Sequence, residues 1–410
     1  MTAENWLYLI IGLVVFNYLF STVLDFINGK NWKTEIPPIM KDYYDEDKYL
    51  KAKNYSKEKG KISLISSTLS TLITIFFLVF DGYGWLDNFI SIYYDIPFLK
   101  SGIFFLGLFI LSDVISIPFS CYNTFVIEEK YGFNKTTVKT FVLDKIKGYL
   151  LTIIIGGILL FGAIYIVSLL ENGFWVWLWI SLSVILLLVN MFYADLIVPI
   201  FNKLTPLQTG SLREKIESYT AKVGYSLKNI YIIDGSKRSS KANAFFSGLG
   251  PRKTIALYDT LVEKHSEEEL VAVLAHEVGH YKKKHVFTSL FLTISQLGLM
   301  CFLLESCLKV GEISQALGGK EMVFHLGLVA FGILYSPIGT MLSILMNSNS
   351  RKNEFEADHY AKTTYSGAAL ELALKKLSVD SLSNLYPHPF YTFIHYSHPP
   401  LLKRLSALNE

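Results

Sequence analysis

The five-residue run His276-Glu277-Val278-Gly279-His280 carries the most pointed chemistry in this chain. On a helix, histidines at i and i+4 project from one face about one turn apart, so both imidazoles reach a single cation. Glu277 between them stands beside that cation, where it takes the proton from a bound water. The donor pair suits zinc, and the chemistry implied is hydrolysis by an activated water. An amphipathic helix with two surface histidines is the plain alternative. The placement of the run argues against it, because the helix is capped and stands just before a membrane span.

A catalytic zinc takes three protein ligands and leaves one position open. The metzincin extension would put Gly and His three and six residues after His280, but Lys283 and Val286 stand there. His285, five residues on, reads as an ordinary juxtamembrane residue rotated away on the helix. The third ligand must come from elsewhere, and region 347–410 shares the same membrane face. It offers Glu354, Glu356 and Asp358 in the run from Arg351 to His359. Read as a helix, Glu354 and Asp358 share a face while Glu356 points nearly opposite. That pairing suggests Glu354 as ligand and Asp358 as the acceptor that orients a zinc-bound histidine. By composition alone the run is a solvated acidic helix start; the incomplete histidine pair gives Glu354 its weight.

The histidine run needs a helix, and Ser266 with Glu269 three residues later makes a capping box that starts one running through 280. Before it, a helix is expected around 210–223, with strands at 228–234, 242–247 and 253–258. Asp234-Gly235, Gly248 to Pro251 and Asp259 mark the turns between them. Residues 202–285 therefore read as a small α/β unit.

The rest of the chain is of another kind. Of 410 residues, 51% are hydrophobic and 18% charged, with a mean hydropathy of +0.36. The apolar residues collect in long uncharged runs, which excludes a soluble globule, a disordered chain and a disulfide scaffold. Seven segments approach the 20 or so apolar residues that a spanning helix needs: roughly 6–27, 61–81, 102–122, 148–170, 174–199, 286–309 and 322–346. The first lacks a basic flank and a cleavage site, and reads as a retained span. Asp113 and His325, inside spans, should face the protein interior or a water-filled space. Cys121, Cys301 and Cys307 form no CxxC pair and read as structural. The net charge of +3 makes no case for nucleic acid.

Of the 38 Lys and Arg residues, 34 lie in alternate inter-span regions and 2 in the others. The positive-inside rule then puts the amino terminus outside or lumenal, and the polar regions with the carboxyl terminus in the cytoplasm. The expected organisation is four blocks. Residues 1–201 hold five spans with cytoplasmic loops 28–60 and 123–147, and 202–285 form the α/β unit. Residues 286–346 add two spans, and 347–410 are a cytoplasmic helical tail.

Four motifs together resemble a known family. They are Pro118-Phe119 through Ile127-Glu128-Glu129 to Gly132-Phe133-Asn134; Gly235 to Ser240 with Asn243-Ala244-Phe245-Phe246; the His276–His280 run; and Glu354 to Asp358 with Ser397-His398-Pro399-Pro400 through Arg404-Leu405. In this order the chain is similar to the M48 family of membrane zinc metalloproteases, in its CAAX prenyl protease 1 (Ste24-type) branch. The resemblance implies one Zn2+ on His276, His280 and Glu354, with Glu277 as general base. It implies that His398 and Arg404 stabilise the oxyanion or hold the peptide. It makes Asn243, Ala244, Phe245 and Phe246 an edge strand on which an extended substrate lies by β-augmentation.

The fold implied is a polytopic α-helical membrane protein, a ring of seven helices around a hydrated chamber, with a cytoplasmic α+β zinc-protease unit. The partners implied are the lipid bilayer and a peptide or prenylated protein. The host membrane would be the endoplasmic reticulum in a eukaryote or the plasma membrane in a bacterium. Within the family, CAAX processing competes with quality control of non-prenylated membrane proteins. A transporter or channel with an incidental zinc site is the rival from another class, disfavoured by the large polar insert ending in the capped His276–His280 helix.

Overall fold

The computed structural model describes residues 1–410 except 171, 226, 228 and 248–253, so the turn expected from Gly248 to Pro251 lies outside the described residues. The chain opens with α1 (Ala3–Lys30), α2 (Glu46–Val79), the short α3 (Gly82–Ser91) and α4 (Pro97–Tyr122). Helix α5 (Val138–Leu169), α6 (Phe174–Phe192) and α7 (Val198–Phe201) complete the first half. Thr2, Asp45 and Thr137 begin three of these helices, each side chain accepting from a backbone N–H of the first turn.

The polar unit follows as β1 (Leu204–Pro206), α8 (Ser211–Lys222), β2 (Asn229–Ile233), β3 (Ala244–Ser247), β4 (Thr254–Tyr258), α9 (Asp259–Lys264) and α10 (Glu267–Lys282). After it come α11 (His285–Leu308), α12 (Gly311–Gln315), α13 (Phe324–Ala361), α14 (Gly367–Asp380), α15 (Pro389–His395) and α16 (Leu401–Asn409).

Among the described residues, seven helices are long and apolar enough to cross a membrane: α1, α2, α4, α5, α6, α11 and α13. They leave large apolar side chains exposed, Phe16, Leu72, Ile154, Phe291 and Met341 among them, as contact with lipid would require. Asp113 and His325, the two ionisable residues noted within the spans, are paired. Asp113 accepts from Lys145 Nζ at 2.9 Å and from the Tyr149 hydroxyl. His325 is buried, with Nε2 2.9 Å from Asp87 and Nδ1 3.0 Å from Ser101. A cavity of about 260 Å³ between α2 and α4 mixes hydroxyls, among them Ser66, Ser70, Thr74, Ser112 and Ser116, with apolar Ile73, Leu108 and Ile115.

The sheet order is β1-β2-β4-β3, with β2 and β4 parallel and both outer pairs antiparallel. Strand β1 was not expected from the sequence; it is three residues long and ends in Pro206, which an edge position tolerates. Helix α10 lies in the core between sheet and tail, its Leu270, Val271, Leu274 and Val278 packed with Ile255, Leu257, Leu370 and Leu408. Two sequence expectations change here. The capping box is half formed: Ser266 Oγ accepts from Glu269 N at 3.3 Å, but the Glu269 carboxylate turns to His265 and Lys376. The boundary expected at 346 falls inside α13, which runs from the seventh span to Ala361 without interruption.

Candidate metal centre

Helix α10 presents His276 and His280 from one face, with their Nε2 atoms 3.1 Å apart. Helix α13 brings Glu354 to the same point: Oε1 is 3.2 Å from His280 Nε2, and Oε2 is 3.5 Å from His276 Nε2. One ligand atom from each of the three lies within 4.8 Å of the others. Glu354 is buried, and its Oε2 has no hydrogen-bond partner among the described residues. Two imidazole nitrogens and a carboxylate oxygen converging this closely direct lone pairs at one another, an arrangement that a shared cation relieves. Two nitrogens and one oxygen are a donor set that zinc accepts, with a position left for water.

His276 Nδ1 lies 2.8 Å from Asp358 Oδ1, although without the alignment of a full hydrogen bond. Burial alone would lower the pKa of His276, but the carboxylates of Asp358 and Glu354 outweigh it and push the value up to about 9. The surroundings thus favour positive charge at this ring, which a metal ion supplies in place of a proton. Asp358 is itself held by Arg404, whose Nε and Nη2 donate to its two oxygens at 2.8 and 2.6 Å. Arg404 Nη1 is 3.4 Å from Glu354 Oε2.

The two tail residues expected to act on the substrate are placed differently. His398 is exposed, with Nε2 3.3 Å from Glu354 Oε1, at the rim of the site. Arg404 is buried among the carboxylates, and its fork is committed to Asp358. Its first effect is on the acids of the site.

Ala244, Phe245 and Phe246 lie in β3, with Asn243 just before it, and β3 is an edge strand of the sheet, as the order shows. Asn243 O accepts from Tyr258 N, and the Phe245 ring meets Tyr193 at 6.1 Å. Asn243 and Ala244 line a cavity of about 250 Å³ together with His276, Glu277, Glu354, His398 and Arg404. A second cavity of about 490 Å³ reaches from Glu277 and His280 between α6 and α11. Glu277 and His280 line both.

Three features escaped the sequence. Gly279, inside the histidine run, is where α13 crosses: a β-carbon there would stand 3.1 Å from Ala357 Cα. Lys284 takes a left-handed conformation, φ 61°, and ends α10 before a new helix starts at His285. His285 is therefore not rotated away as a continuing helix would make it. It is buried with Nδ1 3.0 Å from His280 Nδ1, and its Nε2 is 3.2 Å from Glu356 Oε2. Only the left-handed residue at 284 redirects it, and a lysine gives no signal of that in sequence.

Two family models cover the chain almost end to end: "CAAX prenyl protease N-terminal, five membrane helices" over residues 25–203, and "Peptidase family M48" over 206–410. CAAX prenyl protease 1 of Saccharomyces cerevisiae is 34% identical, over 98% of this chain and 95% of its own length. A CAAX prenyl protease 1 homolog of Homo sapiens is 31% identical, over 95% of this chain and 92% of its own. The crystal structure of S. mikatae Ste24p matches with a TM-score of 0.93 at 32% identity, covering 99% of each chain. The chain belongs to peptidase family M48, in its CAAX prenyl protease 1 (Ste24-type) branch, and is a multi-pass membrane zinc metallopeptidase.

Proposed function

We propose that this chain hydrolyses peptide bonds near the C-terminus of prenylated CAAX proteins, with His276, His280 and Glu354 holding one zinc ion. When bound, zinc would supply a Lewis acid that lowers the pKa of its water towards about 7 and polarises the scissile carbonyl. Glu277, half-buried where the two cavities meet, takes the proton from the attacking water and later gives it to the leaving amine. The outer edge of β3 pairs with the extended peptide and fixes its direction across the site. His398, exposed at the rim, donates to the carbonyl oxygen as negative charge grows on it. Arg404 offsets the charge of Asp358 and Glu354 and holds them in place.

The observation that carries the CAAX reading is the pair of cavities on either side of Glu277. The smaller has an apolar wall of Leu261, Val273, Leu370, Leu374 and Leu377, a fit for the aliphatic residue that follows the cysteine in C-a-a-X. The larger runs along membrane helices with Leu186, Val189, Val286, Phe287 and Leu290 on its wall beside polar Asn190, Ser289, Thr293 and Asn353, and the apolar part of that wall would take a prenylated cysteine. The distribution of basic residues supports a cytoplasmic protease unit, where CAAX tails are found.

Cleavage of a farnesylated CAAX peptide beside its unprenylated twin, with products mapped by mass spectrometry, tests this. The expected result is release of the last three residues. Burying even two methylenes of the prenyl chain should favour the farnesylated peptide roughly tenfold in kcat/KM. Equal rates on both peptides would instead favour quality control of non-prenylated proteins.

A further inference from the structure

We propose that His285 and Glu356 are positioning residues that hold the imidazole of His280 in the one tautomer able to bind metal. This rests on the reading that His276, His280 and Glu354 are the metal ligands. His280 turns Nε2 towards His276 and Glu354, so Nδ1 faces away, and 3.0 Å behind it stands Nδ1 of His285. A neutral imidazole that offers Nε2 to a cation carries its proton on Nδ1 and needs an acceptor there. His285 supplies one only if its own proton sits on Nε2, and 3.2 Å from that nitrogen lies Glu356 Oε2. One proton arrangement satisfies every contact: His280 Nδ1–H donates to His285 Nδ1, and His285 Nε2–H donates to Glu356.

The two histidines are therefore supported by separate routes. His276 faces the buried carboxylate of Asp358 directly. His280 is held through a second ring, buried at the first residue of a membrane span, by a partly exposed carboxylate that also lies 3.8 Å from Lys352. Glu354, Glu356 and Asp358 occur within one and a half turns of α13, yet each meets a different histidine edge. Through His285 the metal site is tied to the orientation of α11, which the left-handed Lys284 sets.

The test is the zinc dissociation constant of the purified full chain, measured by competition with a chromophoric chelator. His285→Phe fills the ring volume without an acceptor, and His285→Asn keeps an oxygen where Nδ1 stands. Loss of such an outer partner typically weakens metal binding 10–100-fold. His285→Phe should show that loss and His285→Asn should recover most of it, while the metal-free proteins melt at similar temperatures. Glu356→Leu should weaken binding more than Glu356→Gln. Zinc affinity of His285→Phe within twofold of wild type would overturn the proposal, as would equal losses in His285→Phe and His285→Asn. His276→Ala separates the two layers: if it keeps full affinity, the ligand assignment itself fails; if it loses affinity and His285→Phe does not, only the support role fails.

Discussion

A β-carbon on Gly279 of α10 would meet the backbone of Ala357 of α13 at 3.1 Å, closer than ordinary van der Waals contact. At this crossing the helix bearing both histidines and the helix bearing both acids touch. Glu354 and Asp358 flank Ala357 within a turn, so the separation of the two helices sets the distance between the histidines and the carboxylates. The glycine is a packing requirement within the His276–His280 run.

Gly279→Ala should push α13 outward by a few tenths of an ångström. Overpacking of this kind costs about 1–3 kcal/mol. The melting temperature of the metal-free protein should fall, and zinc affinity should fall with it. A variant as stable as wild type with unchanged zinc affinity would show that the crossing has slack.

Replacing Arg404 by Met leaves Asp358 and Glu354 buried beside each other with one positive partner removed. Breaking a buried charge pair in this way costs about 3–5 kcal/mol. Arg404→Met should lower the denaturation midpoint strongly, and Arg404→Met with Asp358→Leu should recover part of the loss. If the single variant kept wild-type stability, Arg404 would be free to serve the substrate instead.

His265 supplies a pH dependence remote from the candidate metal centre. It is buried, its Nδ1 is 2.8 Å from Glu269 Oε2, and its Nε2 has no partner among the described residues, so a second proton there would find no acceptor among them. Burial holds its pKa below the ordinary imidazole value, against the opposing pull of Glu269. The unfolded chain takes up this proton near about pH 6.5 and the folded chain only lower, so stability falls as pH drops below about 6.5. His265→Asn keeps a donor to Glu269 and cannot titrate. Thermal melts from pH 7.5 to 5 should show a smaller loss in His265→Asn than in wild type; parallel curves would contradict the assignment.

Ala244 N–H bonds the Asn243 side-chain oxygen at 2.9 Å, so Ala244→Pro removes a donor from the edge of β3 while sparing the ladder to β4. If substrate pairs there, KM for the peptide should rise roughly tenfold with kcat nearly kept, the pattern of lost uniform binding. An unchanged KM would move substrate binding off this edge.

The sequence made much of this legible, for reasons particular to each element. Seven spans stand out because lipid demands long apolar runs, and paired histidines at i and i+4 announce one helix face. Spacing within the tail brought Glu354 and Asp358 to one side and turned Glu356 to another. What stayed hidden depended on backbone turns and contacts across the chain. Strand β1 is too short to show a period. Glu269 completes a capping pattern on paper but is drawn off by Lys376, 107 residues away. The left-handed Lys284 reverses the reading of His285, and the commitment of Arg404 to Asp358 appears only once the tail has folded back.

The most direct measurement compares wild type and Glu277→Gln, each purified with its zinc content determined, on the same farnesylated CAAX peptide. Glu277 is at the meeting of both cavities beside the histidines, and glutamine keeps its size while removing its capacity to accept a proton. The account predicts one zinc per chain in both proteins and a rate lower by on the order of 10²–10⁴ in the variant. A zinc-loaded Glu277→Gln protein that cleaves at the wild-type rate would contradict it.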